Sequence, residues 1–205
     1  MTELKSPLLE QLPWLRHGFG TRSSPLNQNG MASLKQIHSA VVLVADRLEG
    51  CVGEGDALLT AAPGCTISVR TADCFPILLV DRTQRVVAVV HAGWRGTAAR
   101  IAAEAVHQMR FTFGTRPEDV LAAIGPGIGA CCYEVGEDVA RQFDQDRTGR
   151  LDLAAHNIRQ LENAGVPAGQ IDYQATCTFC NAAQFYSWRR DKDMSARMIS
   201  YVGLL

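Results

Sequence analysis

An α+β domain of mixed β-sheets with flanking helices is the fold class this sequence predicts, and three observations predict it. Two apolar runs of strand length, residues 75–80 and 86–90, are separated by the polar stretch DRTQR, which reads as a hairpin connection. Directly downstream, Ala98, Ile101, Ala102, Ala105, Val106 and Met109 recur at helical spacing while Arg100, Glu104 and Gln108 take the other face, so a helix is expected from about Thr97. Elsewhere strand-like and helix-like segments interleave without a regular βαβ period, which favours layered mixed sheets over a dinucleotide-binding fold.

In chain order, Leu12, Pro13, Trp14 and Leu15 followed by HGFGTR read as a short edge element running into a turn. The segment MASLKQIHSAVVLVA is a polar approach to a strand at 41–44, and Gln36 and His38, two apart, share a side if that approach is extended. Residues 50–56 are turn-rich and 57–60 form a short strand, whereas 65–70 alternate as a half-buried strand should. After the long helix, RPEDV has turn and helix-start chemistry, and 120–124 is a strand. GPGIGACCYEVG is a glycine-rich crossing, and 137–143 a short helix. Leu151, Ala155, Ile158 and Leu161 mark a further helix, stopped by Gly165 and Pro167. Residues 171–176, the FYSWRRD segment and 198–202 read as closing strands.

A length of 205 residues suits one domain spanning 1–205 with a sizeable core. Twenty basic against 21 acidic residues, scattered and summing to −1, leave no electrostatic footprint for nucleic acid. No apolar run approaches the roughly 18–20 residues of a membrane span, and the first residues lack the basic start and apolar core of an export signal, so a cytoplasmic protein is expected. Seven cysteines, an odd number, then read as thiols or metal ligands rather than a disulfide framework.

The hairpin carries the chemistry. Cys74 stands at the head of one run and His91 at the end of the other, so pairing the strands brings both to one sheet edge. With His38 they offer two imidazoles and a thiolate, a set zinc accepts, and three protein ligands leave a fourth position open as in catalytic sites. The separations match no short metal motif, and on the residues alone a small buried cysteine with two satisfied histidines is the preferred reading. Asp73 is either a partner orienting a histidine or moving a proton, or a turn cap. Arg95, in the glycine turn after His91, has a fork suited to phosphate or a substrate hydroxyl. Arg70, Arg189 and Arg190 offer the same chemistry, and Gln36 joins Arg70 and Arg189 as substrate-binding candidates. GPGIG lacks the Lys-Ser/Thr of a phosphate-binding loop and reads as a structural turn. Cys177 and Cys180 have clip spacing without a second such pair, and the adjacent Cys131 and Cys132 are awkward on one ion, so all four are expected to be core thiols.

TADC, HAGWRG, KQIHSA, GPGIGACCYEVG and FYSWRRD, in that family's order over roughly 31–204, resemble the YfiH-like family, also called the laccase-domain or multicopper polyphenol oxidoreductase family. The chain departs from it at the N-terminus, where only HGFGTRSSPLNQNG stands in place of a longer glycine-rich segment. The resemblance implies the same layered α+β fold, a metal held by His38, Cys74 and His91, and a purine nucleoside phosphorylase using phosphate and adenosine or inosine. It further implies adenosine deaminase and methylthioadenosine phosphorylase side activities. Two rivals remain at this stage. A copper polyphenol oxidase needs many imidazoles for a coupled copper site, and the chain has five, with His17, His107 and His156 unmotivated. A thiol hydrolase or deamidase would use Cys74 as nucleophile and His91 as base.

Overall fold

The computed structural model describes residues 3–25, 27–45, 48–144 and 148–205. The strands are β1 (Glu3–Leu4), β2 (Leu15–Gly20), β3 (Ala32–Lys35), β4 (Val42–Val44), β5 (Gly50–Glu54), β6 (Ala57–Thr60), β7 (Thr66–Thr71), β8 (Phe75–Asp81), β9 (Val86–Ala92), β10 (Val120–Ile124), β11 (Glu134–Val135), β12 (Gly149–Arg150), β13 (Ile171–Tyr173) and β14 (Met198–Leu204). The helices are α1 (Pro7–Glu10), α2 (Trp94–Ala98), α3 (Ile101–Phe113), α4 (Glu137–Ala140), α5 (Leu153–Asn163) and α6 (Trp188–Asp191). One six-stranded sheet runs β1-β2-β14-β7-β3-β5, a second runs β13-β10-β8-β9-β6-β4, and β11 pairs with β12. Each large sheet is antiparallel at its centre and takes parallel pairs towards its edge, so both are mixed.

The layering follows from side-chain alternation in the central hairpin. Leu78, Val80, Val87 and Val89 point between the sheets, where they meet Phe19, Ile67, Val69 and Val202 of the other sheet. Their neighbours Ile77, Leu79, Ala88 and Val90 point the opposite way, onto Ile101, Ala105 and Met109 of α3 and Leu153 and Leu161 of α5. Covered on both faces, β8 and β9 need unbroken apolar runs, and that is what the sequence supplies. Each such fully buried aliphatic side chain contributes about 1.5–3 kcal/mol.

Several local readings change. HGFG is not a turn but the body of β2, second from the sheet edge, and Gly20 fits there because a Cβ would lie 2.5 Å from the Ile199 carbonyl oxygen. The 50–56 segment is mostly strand β5 rather than turn. β7 is buried on both faces except at Arg70, because Gln28 and Arg16 side chains reach Ser68 and Thr66 on the face expected to meet water. The long helix is split: Arg100 adopts a left-handed φ of 64°, ending α2 and starting α3. At the split the Thr97 carbonyl accepts the Gln160 side-chain amide of α5 at 2.7 Å and the Arg100 amide at 3.0 Å. In α5 the buried face is Leu153, Ala154, Asn157 and Leu161, shifted from the expected one, and Leu151 precedes the helix. FYSWRRD is not a strand; Ser187 caps α6 by accepting the Arg190 amide. No described helix is long and apolar enough to cross a membrane.

His17, buried in β2, accepts the Ser6 amide on Nε2 at 3.0 Å, and burial together with the Lys5 ammonium lowers its pKa to about 4 from the ordinary 6.5. Because the unfolded chain takes up this proton first, stability falls as pH drops from about 6.5 towards 4, with a slope of about one proton, and the contribution levels off below. Denaturant titrations across that range should show the slope, and His17→Gln, which keeps an acceptor for Ser6, should remove it.

Candidate metal centre and substrate cleft

The hairpin register does most of the placing. Pro76 pairs with His91 and Phe75 with Ala92, so Cys74, just before β8, lies against Gly93, just after β9. A Cβ on Gly93 would sit 2.9 Å from Cys74 Sγ and 3.3 Å from the His38 ring, so only glycine lets the thiol and His38 close over this backbone. The His38 and His91 rings meet edge to face at 4.9 Å, and one ligand atom from each of His38, Cys74 and His91 falls within 4.8 Å of the others.

His38 does not arrive on an extended strand. Its φ is 59°, so the side expected to be shared with Gln36 is lost. Asp56, fully buried just before β6, imposes this turn. Its carboxylate accepts the amides of Ile37 (3.3 Å), His38 (3.0 Å) and Ser39 (2.6 Å) and the Ser39 hydroxyl (2.8 Å). It also holds His91 Nδ1 at 2.8 Å, while its carbonyl accepts the His91 amide at 2.7 Å. Burial would raise the Asp56 pKa, but His91 and Ser39 outweigh it and hold the carboxyl at about 2. With Nδ1 engaged, Nε2 is the nitrogen His91 presents to the cluster.

The thiol and imidazole tune each other. Burial pushes Cys74 up, yet His91 and His38 bring it down to about 6; burial pushes His91 down, yet Cys74 and Asp56 bring it up to about 9. Three soft-to-borderline donors so close, two imidazoles and a thiolate, with the tautomer of His91 fixed from behind by a carboxylate, fit a tetrahedral zinc ion with a position to spare.

Two cavities adjoin over this cluster and share His38, Ala72, Cys74 and Trp188. One, of about 520 Å³, is lined by Gln36, Arg70 and Arg197; the other, of about 330 Å³, by Asp73, Trp94, Arg95, Tyr133 and Arg189. Arg95 stacks on Trp94 at 4.3 Å and Arg189 on Tyr133 at 5.2 Å. Gln36 is engaged with the Arg70 backbone in both directions at 2.8 Å, which ties the His38 segment to β7. Asp73, with φ of 86°, does not face a histidine. Its carboxylate accepts the Thr178 hydroxyl (2.7 Å) and the Arg189 amide (2.6 Å), and the orienting partner sought in it is Asp56 instead. Sequence reasoning missed Asp56, for which a lone acidic residue before a short strand is no signal. The other histidines stand apart: His17 bonds Ser6, His107 faces Glu104, and His156 packs on Phe143.

Asp56→Asn keeps the shape but loses the charge behind His91 and leaves an amide where an acceptor is needed. Metal affinity of the purified variant should fall about 10–100-fold, read by competition with a chromogenic chelator. An unchanged affinity would remove Asp56 from the centre.

The sequence model of the multi-copper polyphenol oxidoreductase laccase family matches residues 20–205. A purine nucleoside phosphorylase of Deinococcus radiodurans is 45% identical over 183 residues, covering 84% of this chain and 70% of the relative. A protein named adenosine deaminase, from an unknown prokaryotic organism, is 38% identical over 179 residues, covering 76% and 68% respectively. The crystal structure of YlmD from Geobacillus stearothermophilus superposes with a TM-score of 0.91 at 27% identity, over 100% of this chain and 96% of that one. By sequence over nearly its whole length and by fold, the chain belongs to the multi-copper polyphenol oxidoreductase laccase family, of the YfiH and YlmD kind.

Proposed function

We propose that this protein is a zinc-dependent purine nucleoside phosphorylase acting in the cytoplasm on adenosine or inosine, with adenosine deaminase and methylthioadenosine phosphorylase activity as side reactions. The observation that carries this reading is the convergence of His38, Cys74 and His91, backed by Asp56, on a cleft that offers both cationic forks and aromatic faces. The names of the relatives point to the same substrates.

Bound there, zinc supplies Lewis acidity at the cleft floor. The chain's own residues do the rest. Arg95 and Arg189, placed over the rings of Trp94 and Tyr133, present planar donors to phosphate, a geometry that lysine could not reproduce. Arg70 does the same from the other cavity, with Gln36 fixing its backbone. Trp188, shared by both cavities and 39% exposed, gives the purine a face to stack on. Tyr133, its pKa raised to about 12 by burial and by the Cys74 charge, stays a neutral donor. Asp73 serves as a positioning group, holding Arg189 and the Thr178 loop against the cleft.

A copper oxidase is the weaker reading because the three histidines outside the cluster are each occupied elsewhere. The thiol hydrolase is the second reading worth testing, since a Cys74 near 6 beside a His91 near 9 is also an activated nucleophile.

Ribose 1-phosphate should form from adenosine or inosine only when phosphate is supplied, and the zinc form should oxidise phenols negligibly. Base release without phosphate would make the protein a hydrolase, and rapid phenol oxidation by the zinc form would restore the oxidase.

Iodoacetamide should label Cys74 slowly in zinc-loaded protein and faster after chelation, with turnover lost on chelation and restored by zinc. Rapid labelling of untreated protein together with chelator-insensitive activity would replace the zinc mechanism by the thiol one.

A further inference from the structure

The four cysteines expected in the core are not there. Cys131 and Cys180 are exposed and Cys132 and Cys177 half-buried, all with free thiols, on two loops that the fold lays side by side. Gly127 forms a parallel bridge with Cys177, and the Thr178 amide donates to the Gly127 carbonyl at 2.9 Å. One ligand atom from each of Cys131, Cys132, Cys177 and Cys180 lies within 4.8 Å of the others, with Cys180 Sγ 3.7 Å from Cys131 Sγ and 3.3 Å from Cys132 Sγ. Zinc–sulfur bonds of about 2.3 Å in a tetrahedron put the sulfurs about 3.8 Å apart, inside the range seen here. The objection that adjacent cysteines cannot share an ion fails on the backbone: the Cys132 and Tyr133 amides both turn back onto the Gly129 carbonyl, at 2.9 and 3.1 Å, and this bend brings both sulfurs to Cys180.

The Cys177–Cys180 turn is held by donors around it. The Gly129 amide donates to Cys177 Sγ at 3.3 Å, and the Cys180 amide also donates to that sulfur, closing the Cys177–Cys180 turn. The Arg190 guanidinium binds the carbonyls of Thr178 and Phe179 inside the same turn, at 2.9 and 2.8 Å. The two amides favour the thiolate of Cys177, while the crowding of the neighbouring thiols pushes Cys131 and Cys132 up, a repulsion that a bound cation would relieve.

We propose that Cys131, Cys132, Cys177 and Cys180 form a second metal site, a tetrathiolate that binds one zinc ion independently of the cleft. Four thiols and one divalent ion give the complex and four protons. The ion staples the two loops that wall the cleft, since one carries Ile128 and Tyr133 and the other Thr178, which holds Asp73.

Zinc per chain would be measured on reduced, zinc-loaded, gel-filtered protein for the wild type, Cys74→Ser and the double variant Cys177→Ser/Cys180→Ser. The double variant should carry roughly one ion fewer than the wild type, and cobalt(II) added to Cys74→Ser should give the strong thiolate charge-transfer band of a tetrahedral sulfur site. Zinc kept by Cys74→Ser reports on the cysteine cluster alone and zinc kept by the double variant on the cleft alone, so the two sites fail separately. Should the double variant not fold, peptide mapping of the wild type decides: zinc should shield all four thiols from alkylation together, and chelator should release them together. Equal zinc in wild type and a folded double variant, labelling of the four thiols unaffected by zinc, or a Cys132–Cys180 disulfide persisting after reduction and zinc loading would each overturn the site.

Discussion

One buried carboxylate organises the candidate centre. Asp56 has no exposed surface, and a carboxylate taken out of water that far is tolerated only if its lone pairs are filled. Three consecutive amides, a hydroxyl and an imidazole fill them. To present those amides to one point, residues 37–39 must wrap around the carboxylate, and the left-handed φ of His38 is the result. The strain of that backbone, of order 1–3 kcal/mol, is offset by charge-assisted bonds to the carboxylate. One residue thereby sets the direction of His38, the tautomer of His91 and the end of β9.

Asp73 repeats the device on the opposite wall. Here the carboxylate residue itself lies at positive φ, beside a strand end, and like Asp56 it collects donors from elsewhere in the chain, Thr178 and Arg189. The Ile128 amide closes on its carbonyl at 2.8 Å. Cleft residues drawn from four separate stretches are thus anchored by two short polar nodes at the edge of a dry core. The core supplies bulk stability, and the nodes supply direction.

What could be read from the sequence divides along the same line. β6 and β10 were legible to the residue and β8, β9 and the face of α3 nearly so, because burial alone dictates their apolar patterns. Wherever polar contacts decide the backbone, pattern gave the wrong answer. FYSWRRD looked like a strand because the Ser187 cap is one hydroxyl, and β7 looked half-exposed because its second face is covered by Gln28 and Arg16 rather than by apolar groups. Asp56 and the gathering of four cysteines from two distant loops leave no periodic trace at all. The cluster of His38, Cys74 and His91 was legible as a residue set through family resemblance, but not the carboxylate that shapes it.

The three candidate ligands are not held alike, and this bears on what the centre can do. Cys74, just before β8, and His91, in β9, flank the pairing of one hairpin, and their relation is fixed by the register of seven consecutive pairs from Phe75↔Ala92 to Asp81↔Val86. A slip of one residue would turn each apolar side chain of β8 from one layer of the core to the other, so the core itself forbids it. His38 belongs to a loop whose place depends on Asp56 and on the bond of Gln36 to Arg70. It lines both cavities, and moving it would cost polar contacts rather than core packing. In the proposed centre, a thiolate–imidazole pair fixed by the hairpin and one loop-borne imidazole would keep the donor set constant while leaving the third donor free of the core's register.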